Sequence, residues 1–194
     1  MTSAGALEQG SSVRMPMAVA PLSWHWKRFD ALSGDDVYDV LALRSTVFVV
    51  EQACVFLDAD GCDRSAWHLL GRTVDADGRP TLAAYLRCVD PQVKYREPSI
   101  GRVVTAPALR GQGLGRLLMD EGIARTQDAW PGAEIVINAQ LRLAPFYRSL
   151  RFQTEGEPYV EDDIDHVQMR LAADESRPSA IARTHRPHDN RRTR

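Results

Sequence analysis

The spacing of apolar and polar residues predicts the elements of the first half of the chain. An apolar, aromatic-rich run at 23–30 is typical of a strand. Apolar residues then recur at helical spacing from Val37 to Phe48, after two aspartates that suit a helix start. The runs 67–74 and 81–89 flank an Asp-Gly turn signal and predict a β-hairpin.

The second half continues the alternation of strands and helices. Its pattern predicts a strand at 99–105, a helix over about 111–127, a buried strand at 133–139, a short helix at about 143–150, and strands near 152–155 and 166–171. The order is therefore β-α-β-β-β-α-β-α-β-β. It predicts an α/β fold in which a mixed (α+β) sheet carries helices on its faces.

Length and composition indicate one soluble domain. A chain of 194 residues favours a single core, which we expect over residues 22–172. Residues 1–21 and 173–194 are predicted to be disordered extensions. No apolar run approaches the about 20 residues of a membrane span, so no membrane association is expected. Three cysteines make no disulfide framework, which favours a cytoplasmic location.

The net charge of −2 is unevenly distributed. The segment from residue 173 onward holds six arginines and three carboxylates, so it carries +3 and the rest of the chain carries −5. An acidic body argues against nucleic acid as a partner and is compatible with a cationic substrate.

The glycine-rich segment Arg110–Arg116 follows the predicted strand 99–105 and opens the predicted helix. Glycines let backbone N–H groups at a helix start approach an anion, and the helix dipole adds partial positive charge. Arg110 and Arg116 can add charge-assisted contacts. The segment therefore predicts a phosphate or pyrophosphate site.

Three other functions of a glycine-rich loop have different sequence requirements. A Walker loop would end in Gly-Lys-Ser/Thr, whereas this one continues Gly115-Arg116. A dinucleotide fingerprint would lie in the first βαβ unit, and these glycines come after four strands. A plain turn that caps a helix stays open on this motif alone.

Two motifs together resemble the GNAT N-acetyltransferase family. They are Arg110-x-x-Gly113-x-Gly115 and Phe146-Tyr147-x-x-Leu150-x-Phe152. The element order is also the family's order. The segments 47–52, 58–63, 139–140 and 159–162 are similar to the ElaA-like bacterial branch, and the resemblance extends over about 24–169. Two positions depart from the pattern: Arg151 replaces a usual glycine, and the loop 162–166 lacks the branch's Gly-Ile-Pro-His.

The resemblance implies a fold whose central strands splay apart to bind acetyl-CoA. The pantetheine arm would lie against the backbone of Val103, Val104 and Thr105, with Asn138 beside it and Phe146 packed below. The pyrophosphate would rest on Arg110, Gly111, Gln112, Gly113, Leu114, Gly115 and Arg116. A strand-end cap remains the alternative for Asn138.

Tyr147 matches the family's general acid. A tyrosine with a pKa near about 10 can protonate a thiolate whose pKa is near about 8.5, so the chemistry is independently plausible. The alternative is a core aromatic residue on an amphipathic turn. The implied function is direct acetyl transfer from acetyl-CoA to a small-molecule or peptide amine, and the alternative is a non-catalytic acyl-CoA sensor or regulatory module.

The sequence leaves several candidates for the general base. Glu51 is a candidate, but it follows Arg44 by seven residues, two helical turns, and a structural Arg44–Glu51 pair explains it equally well. His68 and His166 are further candidates, and a neutral amine would need no base. The carboxylates Asp58, Asp60 and Asp63 have the wrong spacing for a calcium loop, so no metal is expected. The resemblance also implies a possible homodimer, because proteins of this family often pair.

Overall fold

Strands and helices alternate in the predicted order in a computed structural model, which describes residues 22–75 and 77–173. The strands are β1 (Ser23–Arg28), β2 (Ala66–Val74), β3 (Pro80–Val89), β4 (Ser99–Thr105), β5 (Ile135–Gln140), β6 (Gln153–Glu161) and β7 (Ile164–Leu171). The helices are α1 (Gly34–Arg44), α2 (Leu114–Ala129) and α3 (Ala144–Arg148). The predicted disordered extensions lie outside the described residues, apart from residue 173.

The seven strands form one sheet in the order β1-β2-β3-β4-β5-β7-β6. Neighbouring strands are antiparallel except β4 and β5, which are parallel. Within the described residues, β4 and β5 pair at Ser99 and Val136 alone. The rest of β4 therefore lacks a partner strand on the β5 side, which is the predicted splay.

A β-bulge lies in β4 beside this opening. The register between β3 and β4 shifts between Tyr85 and Arg87, and Arg102 has a φ of 52°. A non-glycine residue at positive φ is uncommon. Bulges of this kind bend a strand and re-aim its side chains next to functional sites.

The first helix changes its winding part-way. A capping box of Ser33 and Asp36 starts α1. After Arg44 the backbone continues as a π-helix, Ser45–Glu51. The amide of Gln52 donates to the Val47 carbonyl at 3.1 Å, the i→i+5 bonding that widens a helical turn.

The core has two parts, one on each face of the sheet. The larger part packs α2 and α3 against the sheet through residues such as Leu118, Met119 and Phe152. The smaller packs α1 against β2, β3 and β4 through residues such as Val40 and Tyr85. Among the described helices, none is long and apolar enough to cross a membrane.

Candidate active site

A cleft of about 500 Å³ lies between the splayed strands β4 and β5. Residues of both strands, of α3, of the 48–62 segment and of the β6–β7 turn line it. Gly101, Arg102 and Val103 form its β4 wall, and Asn138 and Tyr147 face them from the other side. The fold therefore brings Tyr147 of the second motif to this cleft, whereas residues 110–116 of the first motif are not among the residues that line it.

Tyr147 is held on α3 at this cleft and is only 7% exposed. Its ring makes edge contacts with Phe146 and Phe152, at centroid distances of 5.1 and 6.0 Å. Its carbonyl accepts the amide of Phe152 at 3.1 Å, which ties α3 to the following strand. Burial raises the pKa of the Tyr147 hydroxyl to about 12. The hydroxyl is therefore protonated at neutral pH and able to donate.

Asn138 lies on β5, two residues after Val136, where β5 is paired with β4. Its Oδ1 atom is buried and has no hydrogen-bond partner within residues 22–75 and 77–173. Burial raises the pKa of the neighbouring Tyr95 hydroxyl, and a hydrogen bond with the Asn138 side chain opposes that shift. An unsatisfied buried amide oxygen is costly. An amide N–H of a pantetheine arm in the cleft would satisfy it.

The glycine-rich loop forms the turn before α2. Gly111 and Gly113 both have φ of 78°, and Gly113 is the N-cap of α2, so the helix begins at Leu114, three residues later than predicted. A Cβ at Gly111, Gly113 or Gly115 would have nothing within 4 Å. The first turn of α2 carries no acidic residue. The helix start therefore combines free N–H groups with open space around its glycines, an arrangement that suits an anion.

Arg110 pairs with Glu51 in a bidentate contact, with Nη1–Oε1 at 2.7 Å and Nη2–Oε2 at 3.0 Å. The hydrogen bond from Arg110 lowers the pKa of the Glu51 carboxyl. The expected Arg44–Glu51 pair is wrong, because the wide turns of the π-helix remove the shared face that a seven-residue spacing gives in an α-helix. The alternative to a role as base is therefore a structural one, in which Glu51 is the ion-pair partner of Arg110 in the predicted pyrophosphate loop.

Arg44 instead belongs to a buried cluster of three arginines and three aspartates. Arg44 Nε donates to Asp58 at 2.7 Å and Arg44 Nη1 donates to Asp63 at 2.7 Å. The remaining links join Arg87 to Asp60 and Asp63, and Arg102 to Asp58 and Asp60. The segment that holds Asp58, Asp60 and Asp63 therefore anchors its carboxylates on β3, β4 and α1.

The two histidines that are candidate bases, His68 and His166, differ in whether a ring nitrogen lacks a hydrogen-bond partner within the described residues. His68 is buried and uses both, since Nε2–H donates to the Asp63 carbonyl at 2.9 Å and Nδ1 accepts the Tyr85 hydroxyl at 2.8 Å. His166 lines the cleft, and its Nδ1–H donates to the Ile164 carbonyl at 2.8 Å. The lone pair of His166 Nε2 is then available to take a proton.

Comparisons with known proteins agree with this geometry. Residues 87–173 match the model of the acetyltransferase (GNAT) domain. A UPF0039 protein of Synechocystis is 43% identical over 148 residues, which cover 76% of this chain and 94% of that relative. The chain belongs to the GNAT family.

Two crystal structures are similar to this chain. An acyl-CoA N-acyltransferase from Pseudomonas aeruginosa superposes with a TM-score of 0.72 at 38% identity, over 78% of this chain and 100% of the other. ElaA from Escherichia coli gives a TM-score of 0.70 at 34% identity, over 78% of this chain and 99% of the other. The ElaA-like resemblance read from the sequence is confirmed.

The GNAT site residues predicted from the sequence fall into three groups. Val103, Asn138 and Tyr147 line the cleft. Val104 is buried in the smaller core, Thr105 ends β4, and Phe146 packs behind Tyr147 against the larger core. The third group forms the turn before α2 and the first residues of that helix: Arg110, Gly111, Gln112, Gly113, Leu114, Gly115 and Arg116. Leu114 is buried, and Arg116 Nη1 donates to Ser149 Oγ at 3.2 Å. Their roles stay predictions.

Several cleft residues were not predicted for this GNAT domain. Tyr95 and Lys94 lie in the loop after β3, and Arg102 lies on the bulge of β4. Gln52 Oε1 accepts from Gln140 Nε2 at 3.1 Å across the cleft. The bulge has no sequence signal, and the loop between β3 and β4 carries no motif. The adjoining Ala139-Gln140 motif was the available signal for Gln140.

Both departures from the GNAT pattern are visible in the backbone. Arg151 has a φ of 70°, as expected of a position that usually holds glycine. In the β6–β7 turn, Asp162 and Asp163 have φ of 50° and 60°. Two non-glycine residues therefore occupy left-handed conformations at the rim of the cleft, where the branch's usual pattern is absent.

Proposed function

We propose that this chain is an acetyl-CoA-dependent N-acetyltransferase that transfers the acetyl group directly to an amine in the same cleft. The observation that carries the proposal is the position of Tyr147, whose side chain lines the cleft opened by the splay of β4 and β5. GNAT membership supports an acyltransferase. The acetyl donor and the amine acceptor are the finer part of the proposal.

The residues present fit acetyl-CoA. The backbone of Val103–Thr105, which has no strand partner on the β5 side within the described chain, would pair with the pantetheine arm. Asn138 Oδ1 would accept one of its amides. The α2 start would hold the pyrophosphate. Bound acetyl-CoA supplies the thioester carbonyl that the amine attacks.

Tyr147 would donate its proton to the departing sulfur. A pKa of about 12 for the Tyr147 hydroxyl, caused by burial, keeps the donor protonated at every physiological pH. A thiolate formed in the same desolvated cleft would also have a raised pKa, so burial shifts the pKa of the donor and that of the acceptor in the same direction. A positioned acid of this kind typically contributes about 10²–10⁴-fold.

The amine must lose its protons during the reaction. An alkylammonium with a pKa of about 10.4 is neutral about once in 2,500 molecules at pH 7, a cost of about 4.6 kcal/mol. His166 lines the cleft and its Nε2 has no hydrogen-bond partner within the described residues, whereas Glu51 is exposed and its carboxylate is held by Arg110. His166 is therefore the better placed acceptor, and Glu51 is the second candidate.

The direct test measures CoA release. The purified chain is incubated with acetyl-CoA and a library of primary amines, and free thiol and acetylated product are both measured. Acetylated product from at least one amine class supports the proposal. Tight acetyl-CoA binding by calorimetry without turnover of any amine would contradict it and favour the acyl-CoA sensor.

A further inference from the structure

Two glutamines and an arginine form a hydrogen-bonded row at the end of β5. Arg142 Nε donates to Gln140 Oε1 at 3.0 Å, and Gln140 Nε2 donates to Gln52 Oε1 at 3.1 Å. Gln140 ends β5, whereas Gln52 directly follows the π-helix Ser45–Glu51. Both glutamines line the cleft. The row therefore joins two distant parts of the chain at the candidate active site.

The arginine fixes the direction of both amides. A guanidinium only donates hydrogen bonds, so Gln140 must turn its oxygen toward Arg142 and its NH2 group toward Gln52. Gln52 must then turn its own oxygen toward Gln140. An isolated glutamine amide has no such preference, because its two ends have nearly the same shape. The direction of the Gln52 amide is therefore set from the Arg142 end of the row.

The NH2 group of Gln52 is left as a donor. Its Nε2 atom has no hydrogen-bond partner among the residues that the structure describes. Within 22–75 and 77–173, the enclosed side-chain atoms without a partner are Arg87 Nε and Asn138 Oδ1 alone, so Gln52 Nε2 is not enclosed. An accessible N–H donor on a residue that lines a cleft suits an oxygen of a bound molecule.

The row lies beside the candidate base. Gln140 pairs with His166 in the register of β5 and β7, and Tyr159 pairs with His166 in that of β6 and β7. Directly opposed residues of antiparallel strands project to one face of the sheet, with Cβ atoms about 4.5–5.5 Å apart. The side chain of Gln140 therefore neighbours both His166 and Gln52. An acceptor amine at His166 would be one side chain away from the Gln52 donor.

The same placement separates Gln52 from the part of the cleft proposed for CoA. Asn138, which would contact the pantetheine arm, lies two residues before Gln140 and nearer to the point where β5 pairs with β4. Gln140 lies opposite the first residues of β7, next to the β6–β7 turn that also lines the cleft. A ligand oxygen at Gln52 therefore belongs to the acceptor.

We propose that Gln52 is a specificity-determining residue of the acceptor site, which donates an amide N–H to an oxygen that the acceptor carries near its amine. Gln140 and Arg142 are positioning residues that keep this donor turned toward the ligand. The proposal rests on the proposed function. It favours amines that carry an ether, carbonyl or hydroxyl oxygen over hydrocarbon amines of the same shape.

The test uses pairs of amines that differ by one oxygen: methoxyethylamine with n-butylamine, and ethanolamine with n-propylamine. The methoxy oxygen only accepts hydrogen bonds, whereas the hydroxyl group also donates. The oxygen lowers the pKa of the amine itself, and this effect is the same with every variant. The measurement is therefore the ratio of kcat/KM within a pair, compared between the wild type and each variant.

Gln52→Glu keeps the shape of the side chain and the hydrogen bond from Gln140 but removes the donor. We expect the ratio of oxygen-containing to hydrocarbon amine to fall about 2–10-fold in both pairs, the range that one neutral hydrogen bond contributes. Acetyl-CoA affinity should change little. An unchanged ratio would overturn the proposal. A loss of acetyl-CoA affinity that accounts for the lost activity would also overturn it, since Gln52 would then serve the cofactor.

Gln140→Glu tests the positioning role. A glutamate there would pair with Arg142 but would have no N–H to donate, so Gln52 would turn its NH2 group toward it and its oxygen toward the ligand. The ratio should fall for methoxyethylamine, which offers no donor near the ether, and hold for ethanolamine, whose hydroxyl donates. A fall in both ratios, or in neither, would contradict the positioning role.

Arg142 is exposed, so its variants are expected to fold normally. Arg142→Met leaves both amides free to turn and should lower the methoxyethylamine ratio alone. Arg142→Lys keeps a positively charged donor and should restore the wild-type ratio. Arg148→Met, at an exposed arginine of α3, is the matched control and should keep both ratios. Equal effects of Arg142→Met and Arg148→Met would contradict the role of Arg142.

A measurement without turnover separates this proposal from the proposed function. In isotope-labelled, CoA-loaded protein, the NMR signal of the Gln52 NH2 group is assigned by its loss in Gln52→Glu. A shift of this signal with methoxyethylamine but not with n-butylamine, without acetyl transfer, would uphold the Gln52 donor and contradict the transferase. Acetyl transfer without such a shift would overturn the donor and leave the transferase standing. Neither shift nor transfer would contradict both.

Discussion

At the scale of single residues, positive φ values concentrate around the cleft. Arg102 and Asp162 line it, Asp163 follows in the same turn, and Arg151 lies three residues after the end of α3. Each non-glycine residue in this region costs about 1–2 kcal/mol. Strain that persists near a reactive side chain is held by the surrounding contacts and often serves the site.

Arg151 offers the clearest stability prediction. Its φ of 70° suits glycine, and its side chain is exposed, so Arg151→Gly should raise the free energy of unfolding by about 1 kcal/mol. Urea denaturation measures the change. Arg151→Ala keeps the left-handed cost and serves as the control, with little gain expected. Equal gains in both variants would show that the arginine side chain, and not the backbone, is the source.

The α2 start gives a test of the pyrophosphate site at one residue. Gly115 has ordinary φ and open space beyond its Cα, so a side chain there meets no steric obstacle. Gly115→Asp adds a carboxylate in the first turn of α2, where the dipole stabilises the helix. We therefore expect unchanged or higher stability but at least about 10-fold weaker acetyl-CoA binding by calorimetry.

Gly115→Asn is the matched control, since it has the same shape without the charge. It should weaken binding much less than the aspartate. Unchanged affinity in Gly115→Asp would mean that the α2 start does not hold the pyrophosphate. Gly113 is less suitable for this test, because it has φ of 78° and any side chain there adds backbone strain.

At the scale of elements, the periodicity of the sequence predicted most of the fold. The order of strands and helices, the hairpin of β2 and β3, and the bounds of β4 follow from local patterns. The π-helix Ser45–Glu51 and the bulge at Arg102 do not, because hydrophobic spacing is almost the same for an α-turn and one wide turn, and a bulge depends on the partner strand. Both irregularities adjoin the cleft.

The same dependence on tertiary contacts explains which site residues could be predicted from the sequence. Tyr147 and the α2 glycines lie in local motifs. The cluster around Arg44 joins residues from α1, the 58–63 loop, β3 and β4, so its pairing depends on tertiary contacts that no spacing encodes. The Arg44–Glu51 expectation failed because the π-helix removes the shared face and because these tertiary contacts give Arg44 other partners.

The two base candidates predict different pH profiles. If His166 takes the proton, His166→Gln should lower kcat at pH 7 by about 10²-fold, and the rate should recover as pH rises and the free amine becomes available. Glu51→Gln should keep the wild-type profile, because the paired carboxylate is exposed and its pKa is already lowered by Arg110. The reverse outcome, with recovery at high pH only in Glu51→Gln, would make Glu51 the base.

At the scale of the whole molecule, ion pairs tie the first helix to the sheet. Asp36 on α1 contacts Lys27 of β1 at 2.8 Å and Arg72 of β2 at 2.8 Å. Burial alone would raise the pKa of Asp36, but the hydrogen bonds from Lys27 and Arg72 outweigh it and hold the pKa well below its usual range. The charged carboxylate therefore stabilises the folded state.

This clamp predicts an acid-sensitive stability. Because the folded pKa of Asp36 is lowered, its contribution is full above the unfolded value of about 3.9 and is lost as pH falls toward the folded value. Asp36→Asn should cost about 1–3 kcal/mol in urea unfolding at pH 7, and the deficit should shrink at pH 3. Asp35→Asn, at the exposed neighbouring position, should show a much smaller deficit at pH 7. A pH-independent deficit in Asp36→Asn would contradict the ionic explanation.

The proposed mechanism depends on one proton, which Tyr147 gives to the CoA sulfur. Tyr147→Phe keeps the ring and its contacts with Phe146 and Phe152, so folding and acetyl-CoA affinity should barely change. With an accepted amine in hand, we predict a fall in kcat of about 10²-fold or more with little change in KM. Tyr38→Phe removes the same hydroxyl from a side chain that is 74% exposed and should keep full activity. Full activity in Tyr147→Phe would contradict the mechanism.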